Sequence, residues 1–189
     1  MLNLDRGYVW RPEEFEFVEG ALAAAAELHR RGYRLVVVTN QSGVGRGLYT
    51  EADVLQLGAW MSSRFAQAGA PLAGIYYCPH HPTEALGAYR IECECRKPRP
   101  GMLLAAARDL GLDLARSVLF GDRESDLIAA RAAGIPARVR LSTDGIEVPC
   151  ARSEETDPSL ATARYPSLAA ALASGDFDRP VRSSEAAGG

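Results

Sequence analysis

Three groupings of side chains in this 189-residue sequence could do chemistry. The first is soft: Cys78-x-His80, twelve intervening residues, then Cys93-x-Cys95. Three thiolates and an imidazole make the number of ligands that a tetrahedral Zn2+ takes. Residues two apart in an extended chain point the same way, so each pair can grip one ion from one side. With all four positions filled by protein, such a site is structural, because a catalytic zinc keeps one position open. His81 stands beside His80 and could exchange roles with it, His29 falls on an exposed helix position, and Cys150 stands apart as a plain thiol.

The second grouping is hard: GDRESD places Asp122 at the end of a strand and Asp126 one helical turn further on. Carboxylates there suit Mg2+, which is held through one or two of them and shares the substrate's phosphate. The competing use is capping a helix, since Asp and Ser start many helices. Asp126 reads as a brace for Asp122. The third grouping is VVVTNQSGVGRG, where Thr39, Asn40, Gln41 and Ser42 end a strand and Gly43, Gly45 and Gly47 surround Arg46. Polar side chains and free N–H groups in a glycine-rich turn at a strand's carboxyl end suit phosphate oxygens, although the same residues also make an ordinary hydrogen-bonded turn.

One further residue stands out by its rarity. Lys97 is the sole lysine of a chain whose other basic side chains, of 21 in total, are arginines. A lysine kept where arginine is the habit suggests a site that fits a compact ammonium and excludes a forked guanidinium, such as the space between a carboxylate and a phosphoryl group. Pro98 restrains Lys97 to extended backbone, and the zinc-ligand segment ends two residues earlier, so loop and lysine are positioned together. The expectation is that the Lys97 ammonium and the Asp122 carboxylate lie close together and grip one phosphoryl group.

These groups need a frame. EGALAAAAELHRRG (19–32) reads as a helix stopped by glycine, and RLVVVTN (34–40) as a strand of the fully buried type. A capping-box variant, Thr50 with Asp53, opens a helix over 51–68 with Val54, Leu57, Trp60, Met61 and Phe65 on one face. A strand over 73–78 follows, then an aperiodic loop over 79–98 of the length that carries a function or a constraint. Helix MLLAAARDLG, strand SVLFGD, helix ESDLIAARAAG, a short strand near ARVRL and a last helix at 167–173 complete the chain. Alternation of this kind predicts an α/β, Rossmann-like three-layer sandwich with a mostly parallel sheet. One domain over 1–174 and a disordered tail over 175–189 are expected. A net charge of −3 gives no broad basic surface, which argues against nucleic acid as a partner. Neither a signal peptide nor an apolar run of membrane-spanning length is legible, so a cytoplasmic monomer without membrane contact is expected.

Thr39-Asn40 after a strand, Lys97-Pro98, and Gly121-Asp122 before a helix resemble, in order, the second, third and fourth motifs of the haloacid dehalogenase superfamily of phosphatases. The stretches VVVTNQSGVGRG, GIYYCPHHP, CECRKPRPGM and GDRESD, within about residues 3–140, resemble a branch that acts on small sugar phosphates. Its zinc cluster is shared with the related histidinol-phosphate phosphatases, so the cluster marks the branch better than the substrate. The resemblance implies an aspartyl-phosphate mechanism with Mg2+ and Zn2+ as cofactors. Lys97 and Asp122 match the charge-neutralising and Mg2+-binding positions, and Thr39 and Asn40 the phosphate-holding ones. Gln41 neighbours these; Arg46 and Arg96 match positions that contact the rest of the sugar phosphate. Arg123 stands where some members carry lysine.

The family's first motif, an apolar strand ending in Asp-x-Asp-Gly-Thr, does not occur in these residues. NLDRG (3–7) is a poor substitute, because its second acid would fall on Gly7. LNLDRGYV resembles instead the segment just after that motif, which places the nucleophile upstream of Met1 and disfavours Asp5. The expectation is a start assigned too late or a trimmed chain, lacking the central strand and impaired or inactive as written. A histidinol-phosphate phosphatase and a catalytically inactive zinc-binding relative are the alternatives.

Overall fold

The computed structural model describes residues 2–4, 7–142, 157 and 159–177. Asp5, Cys150 and the part of the expected tail beyond 177 lie outside the described residues. Helix α1 (Ala21–Arg30) is built of alanine and other good helix formers and leads into β1 (Leu35–Asn40). A one-turn helix, α2 (Ser42–Gly45), interrupts what reads as loop, and α3 (Glu51–Gln67) then starts on a full capping box in which Thr50 and Asp53 bond reciprocally. Strand β2 (Leu72–Cys78), the long loop, α4 (Gly101–Leu110), β3 (Val118–Gly121), α5 (Glu124–Ala132) and β4 (Ala137–Leu141) follow. A three-residue strand, β5 (Ala163–Tyr165), and α6 (Leu168–Ala173) close the described order.

All strand pairs are parallel, and helices cover both faces. Leu35 and Val37 of β1 pack with Ala25 of α1 and with Met61 and Phe65 of α3. Val38 points the other way, onto Leu103 of α4 and Leu119 and Leu127 of the β3–α5 unit. On the first face, Ala24 and Leu28 of α1 also meet Val139, Leu141, Leu168 and Leu172. Helix α1 thus straddles β1 and β4, and the expected three layers are present.

The layer of strands is not continuous. It forms a two-stranded sheet, β1-β2, and a three-stranded sheet, β3-β4-β5. The backbone N–H of Gln41 reaches the Cys78 carbonyl at 2.7 Å, so alternate residues Thr39 and Val37 address β2. Val38 and Asn40 therefore address the opposite edge, where no described strand pairs with them. This explains a departure from the sequence reading: all six residues of β1 are half-buried, where a fully buried strand was expected. The β-branched run is of the kind found in the middle of a sheet, but here no described strand pairs with one edge. Unpaired backbone groups cost free energy where water cannot reach them.

The open edge has a measurable signature. In amide hydrogen exchange by NMR, Val38 and Asn40 are expected to exchange faster than Val37 and Thr39 by roughly tenfold, the factor given by about 1.4 kcal/mol, within the net range of one hydrogen bond. Equal protection along β1 would contradict an open edge.

Candidate active site and metal centre

The carboxyl ends of β1 and β3 bring together the residues predicted for phosphate and Mg2+. The side-chain amide of Asn40, at the end of β1, clasps the backbone of Lys97: Oδ1 accepts from the Lys97 N–H and Nδ2 donates to its carbonyl, both at 3.1 Å. The peptide bond between Lys97 and Pro98 is cis. The Lys97 Nζ then donates to the Val38 carbonyl at 2.9 Å, the oxygen that faces the open edge of β1. It also pairs with Oδ1 of Asp126 at 2.7 Å.

Lys97 was expected to lie close to Asp122 so that both grip one phosphoryl group; the direct ion pair of the lysine is with Asp126, the residue read as a brace for Asp122. The cause is local. Asp126 lies at the third position of α5, where its Oδ2 accepts the Arg123 backbone N–H at 3.1 Å, and this turns the other oxygen toward the lysine. The close seating needs glycine beneath it, because a Cβ at Gly121 would come within 2.6 Å of the Asp126 Cβ. With 6% of its surface exposed, Asp126 is buried, and a buried carboxylate requires such partners.

Asp122 stands beside this pair. Burial, and then the negative charge of Asp126, push its carboxyl above the ordinary range. Among the described residues its nearest cation is Arg123, with Nε at 3.9 Å and a side chain largely in solvent. Lys97 balances one of two adjacent carboxylates, and Asp122 is left as a hard oxygen donor short of positive charge. That donor fits Mg2+, for which Asp122 would supply one ligand.

The glycine-rich turn also has a defined build. Tyr49 donates to Gln41 Oε1 at 2.5 Å, and Gln41 Nε2 reaches Thr39 Oγ1 at 3.3 Å. The Thr39 hydroxyl therefore accepts from Gln41 and keeps its own proton to donate. Tyr49 sits flat beneath the turn, where a Cβ on Gly43 would fall 2.1 Å from its ring. Arg46 pairs with Glu84 and lies over the Tyr8 ring, and Arg96 donates to the His80 carbonyl at 3.1 Å. Both arginines thus bond to the loop over 79–98, which also bonds to the turn through Leu86 N–H to the Gly45 carbonyl at 2.7 Å.

Cys78, His80, Cys93 and Cys95 converge as predicted, with one ligand atom of each within 4.8 Å of all the others. The three Sγ–Sγ separations are 3.1, 3.2 and 3.6 Å, and His80 Nδ1 lies 3.4 Å from Cys95 Sγ and 3.7 Å from Cys78 Sγ. A tetrahedron with Zn–S bonds of about 2.3 Å has edges of roughly 3.8 Å, so this donor set fits Zn2+ after a small expansion. His81 does not exchange roles with His80. Its Nδ1 accepts from the backbone N–H groups of Thr83 and Glu84, at 3.4 and 3.1 Å, and caps a turn. The loop carries a 3₁₀ turn at Gly87–Tyr89 that has no apolar periodicity to reveal it. Sequence reasoning also missed Glu51, which accepts from the hydroxyls of Tyr77 and Tyr89; only its place after a helix cap could have hinted at a role.

A layered parallel sheet with a threonine turn, a lysine and an acidic pair at its carboxyl edge defines a phosphoryl-transfer hydrolase of the haloacid dehalogenase type. The chain belongs to the haloacid dehalogenase-like hydrolase family, whose model matches residues 2–134. It is a phosphatase of that family. It is 47% identical over 143 residues to a D-glycero-beta-D-manno-heptose-1,7-bisphosphate 7-phosphatase of Vibrio cholerae, covering 76% of this chain and 77% of that one. A D-glycero-alpha-D-manno-heptose-1,7-bisphosphate 7-phosphatase of Burkholderia mallei is 47% identical over 135 residues, 71% of each chain. The solved D,D-heptose 1,7-bisphosphate phosphatase of B. bronchiseptica, complexed with magnesium and phosphate, superposes with a TM-score of 0.71 at 30% identity, covering 92% of this chain and 91% of that one. No helix among the described residues is long and apolar enough to cross a membrane.

Two outcomes follow from the charges. Lys97→Ala leaves Asp126 buried without its cation and is expected to lower unfolding free energy by about 3 kcal/mol in urea denaturation, while Lys97→Met with Asp126→Leu recovers most of the loss. For Asp122, a folded-state pKa above the unfolded one means that its stabilising contribution is complete below the unfolded pKa and is lost as pH rises through the folded pKa. At neutral pH without metal its charge is a net cost, so Asp122→Asn is expected to raise the apo melting temperature. The same variant is expected to lose any stabilisation by Mg2+.

Proposed function

We propose that the protein is a Mg2+-dependent phosphomonoesterase that removes the 7-phosphate from D-glycero-D-manno-heptose 1,7-bisphosphate. The observation that carries this reading is the placement of Thr39, Lys97 and Asp122 at the carboxyl ends of β1 and β3, walled by a loop that resembles the corresponding loop of heptose-bisphosphate phosphatases. The names of the relatives support the substrate. Since relatives named for the alpha and the beta anomer are equally similar, at 47% each, likeness does not separate the two.

In the proposed reaction the Thr39 hydroxyl and the backbone N–H groups of the following turn hold the non-bridging oxygens of the phosphoryl group. Lys97 neutralises charge that builds on those oxygens, and it is held in place for this by the Asn40 clasp and by Asp126. Asp122 would hold Mg2+, which when bound supplies further neutralisation of the transferring group. Arg46 and Arg96 lie on the loop side, where the second phosphate of a bisphosphate would project. The attacking carboxylate is the first acid of the family's Asp-x-Asp-Gly-Thr motif, with formation and hydrolysis of an aspartyl phosphate. These 189 residues do not contain that motif. A strand bearing it would pair with the edge of β1 that no described strand occupies. Zn2+ on the four soft ligands would order the loop and take no part in the chemistry.

The test is turnover by a form extended upstream with the encoded residues, given Mg2+ and either heptose 1,7-bisphosphate or histidinol phosphate. Faster release from the heptose is expected, with Lys97→Ala lowering kcat/KM by about 10³-fold or more, the size of a lost charge clamp. Preference for histidinol phosphate would reassign the substrate within the branch. No release from any phosphomonoester, with zinc retained, would make the chain a non-catalytic zinc protein.

A further inference from the structure

Glu51 has no part in the proposed reaction, yet it is the centre of a polar network behind the metal centre. It lies in the first turn of α3, where the helix dipole favours a negative charge. Its Oε2 accepts from the Tyr77 hydroxyl and its Oε1 from the Tyr89 hydroxyl, both at 2.6 Å. Both donors, Tyr77 first, hold the Glu51 carboxyl below the ordinary range. The two rings pack against Val44, Tyr49 and Val54.

The positions of these tyrosines matter. Tyr77 immediately precedes the ligand Cys78 at the end of β2. Tyr89 ends the 3₁₀ turn between the two ligand pairs, its ring centroid 6.1 Å from that of His80 and its carbonyl accepting from the His81 N–H at 3.2 Å. One carboxylate therefore ties the strand that delivers the first pair to the turn that separates the first pair from the second. The loop between is poor in buried side chains: over 79–98 only Pro79 and Ala85 are buried. Such a segment has few apolar contacts with which to set its own geometry.

We propose that Glu51 is a positioning residue for the Cys78–His80–Cys93–Cys95 centre: through Tyr77 and Tyr89 it fixes the separation and direction of the two ligand pairs before the metal arrives. This rests on reading the cluster as a zinc site. Preorganisation of this kind lowers the ordering cost of binding and appears in the affinity for the metal, whereas a purely structural contact appears in stability alone.

The experiment measures the zinc dissociation constant of the chain by competition with a chromogenic chelator. It compares the unmodified protein, Glu51→Gln, Tyr89→Phe and, as a packing control away from the network, Phe65→Ala; the d–d spectrum of the Co2+ form is recorded for each. Glu51→Gln is expected to weaken zinc binding about 10- to 100-fold, in the range seen when outer-shell partners of metal ligands are removed, and to broaden or shift the Co2+ bands. Tyr89→Phe is expected to give a smaller loss in the same direction. Phe65→Ala is expected to lower the melting temperature with metal affinity unchanged. If Glu51→Gln does not fold, Tyr89→Phe decides alone. Zinc affinity within twofold of the unmodified protein in both network variants, with unchanged Co2+ spectra, overturns the proposal. Failure of the unmodified protein to bind zinc overturns the zinc reading on which it rests.

Discussion

The site turns on one ammonium group. Lys97 Nζ lies between the Val38 carbonyl, which faces the open edge of β1, and the Asp126 carboxylate, which is seated above Gly121 at the end of β3. It is therefore a polar link between two half-sheets that share no hydrogen-bonded strand pair among the described residues. A single cation here satisfies an otherwise unpaired carbonyl and balances a buried carboxylate, and both would be costly if left alone. Arginine could not replace it without reorganising the seam, because a planar fork does not fit where a compact ammonium meets both the Val38 carbonyl of β1 and the Asp126 carboxylate of α5.

This arrangement divides the acidic pair into two roles. Both carboxylates follow the same strand, but Asp126 is turned inward by its bond to the Arg123 N–H and is consumed by the lysine, while Asp122 has only the largely exposed Arg123 as an ion-pair partner among the described residues and is pushed above the ordinary range. The loop that precedes Lys97 is tied to the turn through Leu86 and to α3 through Glu51, and it brings Cys78, His80, Cys93 and Cys95 together. Lys97 follows two residues after Cys95, so the convergence of these four side chains limits where the ammonium can lie. The clasp from Asn40 completes this restraint from the strand side.

Much of this was legible in the sequence. The soft ligand set followed from spacing, because residues two apart in extended backbone present their side chains to the same side. The three-layer order followed from alternating periods in the strands and helices. The Lys97 partner was not legible: choosing Asp126 over Asp122 depends on which oxygen a helix-start hydrogen bond leaves free, and spacing carries no information on that. The use of Asn40 as a clasp for the lysine backbone was equally hidden, since its partner is 57 residues away. β5 escaped because three residues, Ala163–Tyr165, are too few to show a period. The run at 35–40 reads as a central strand by composition, and that reading fails only in burial, for want of a neighbour on one side.

Since the chain holds one lysine, selective labelling with [15Nζ]-lysine gives a single side-chain resonance that reports on this seam directly. An ammonium held by Val38 and Asp126 is expected to show a resolved, slowly exchanging NH3+ signal at neutral pH that moves toward the free-lysine position in Asp126→Asn. A signal at the free-lysine position in the unmodified protein, with rapid exchange and no response to that substitution, would contradict the account.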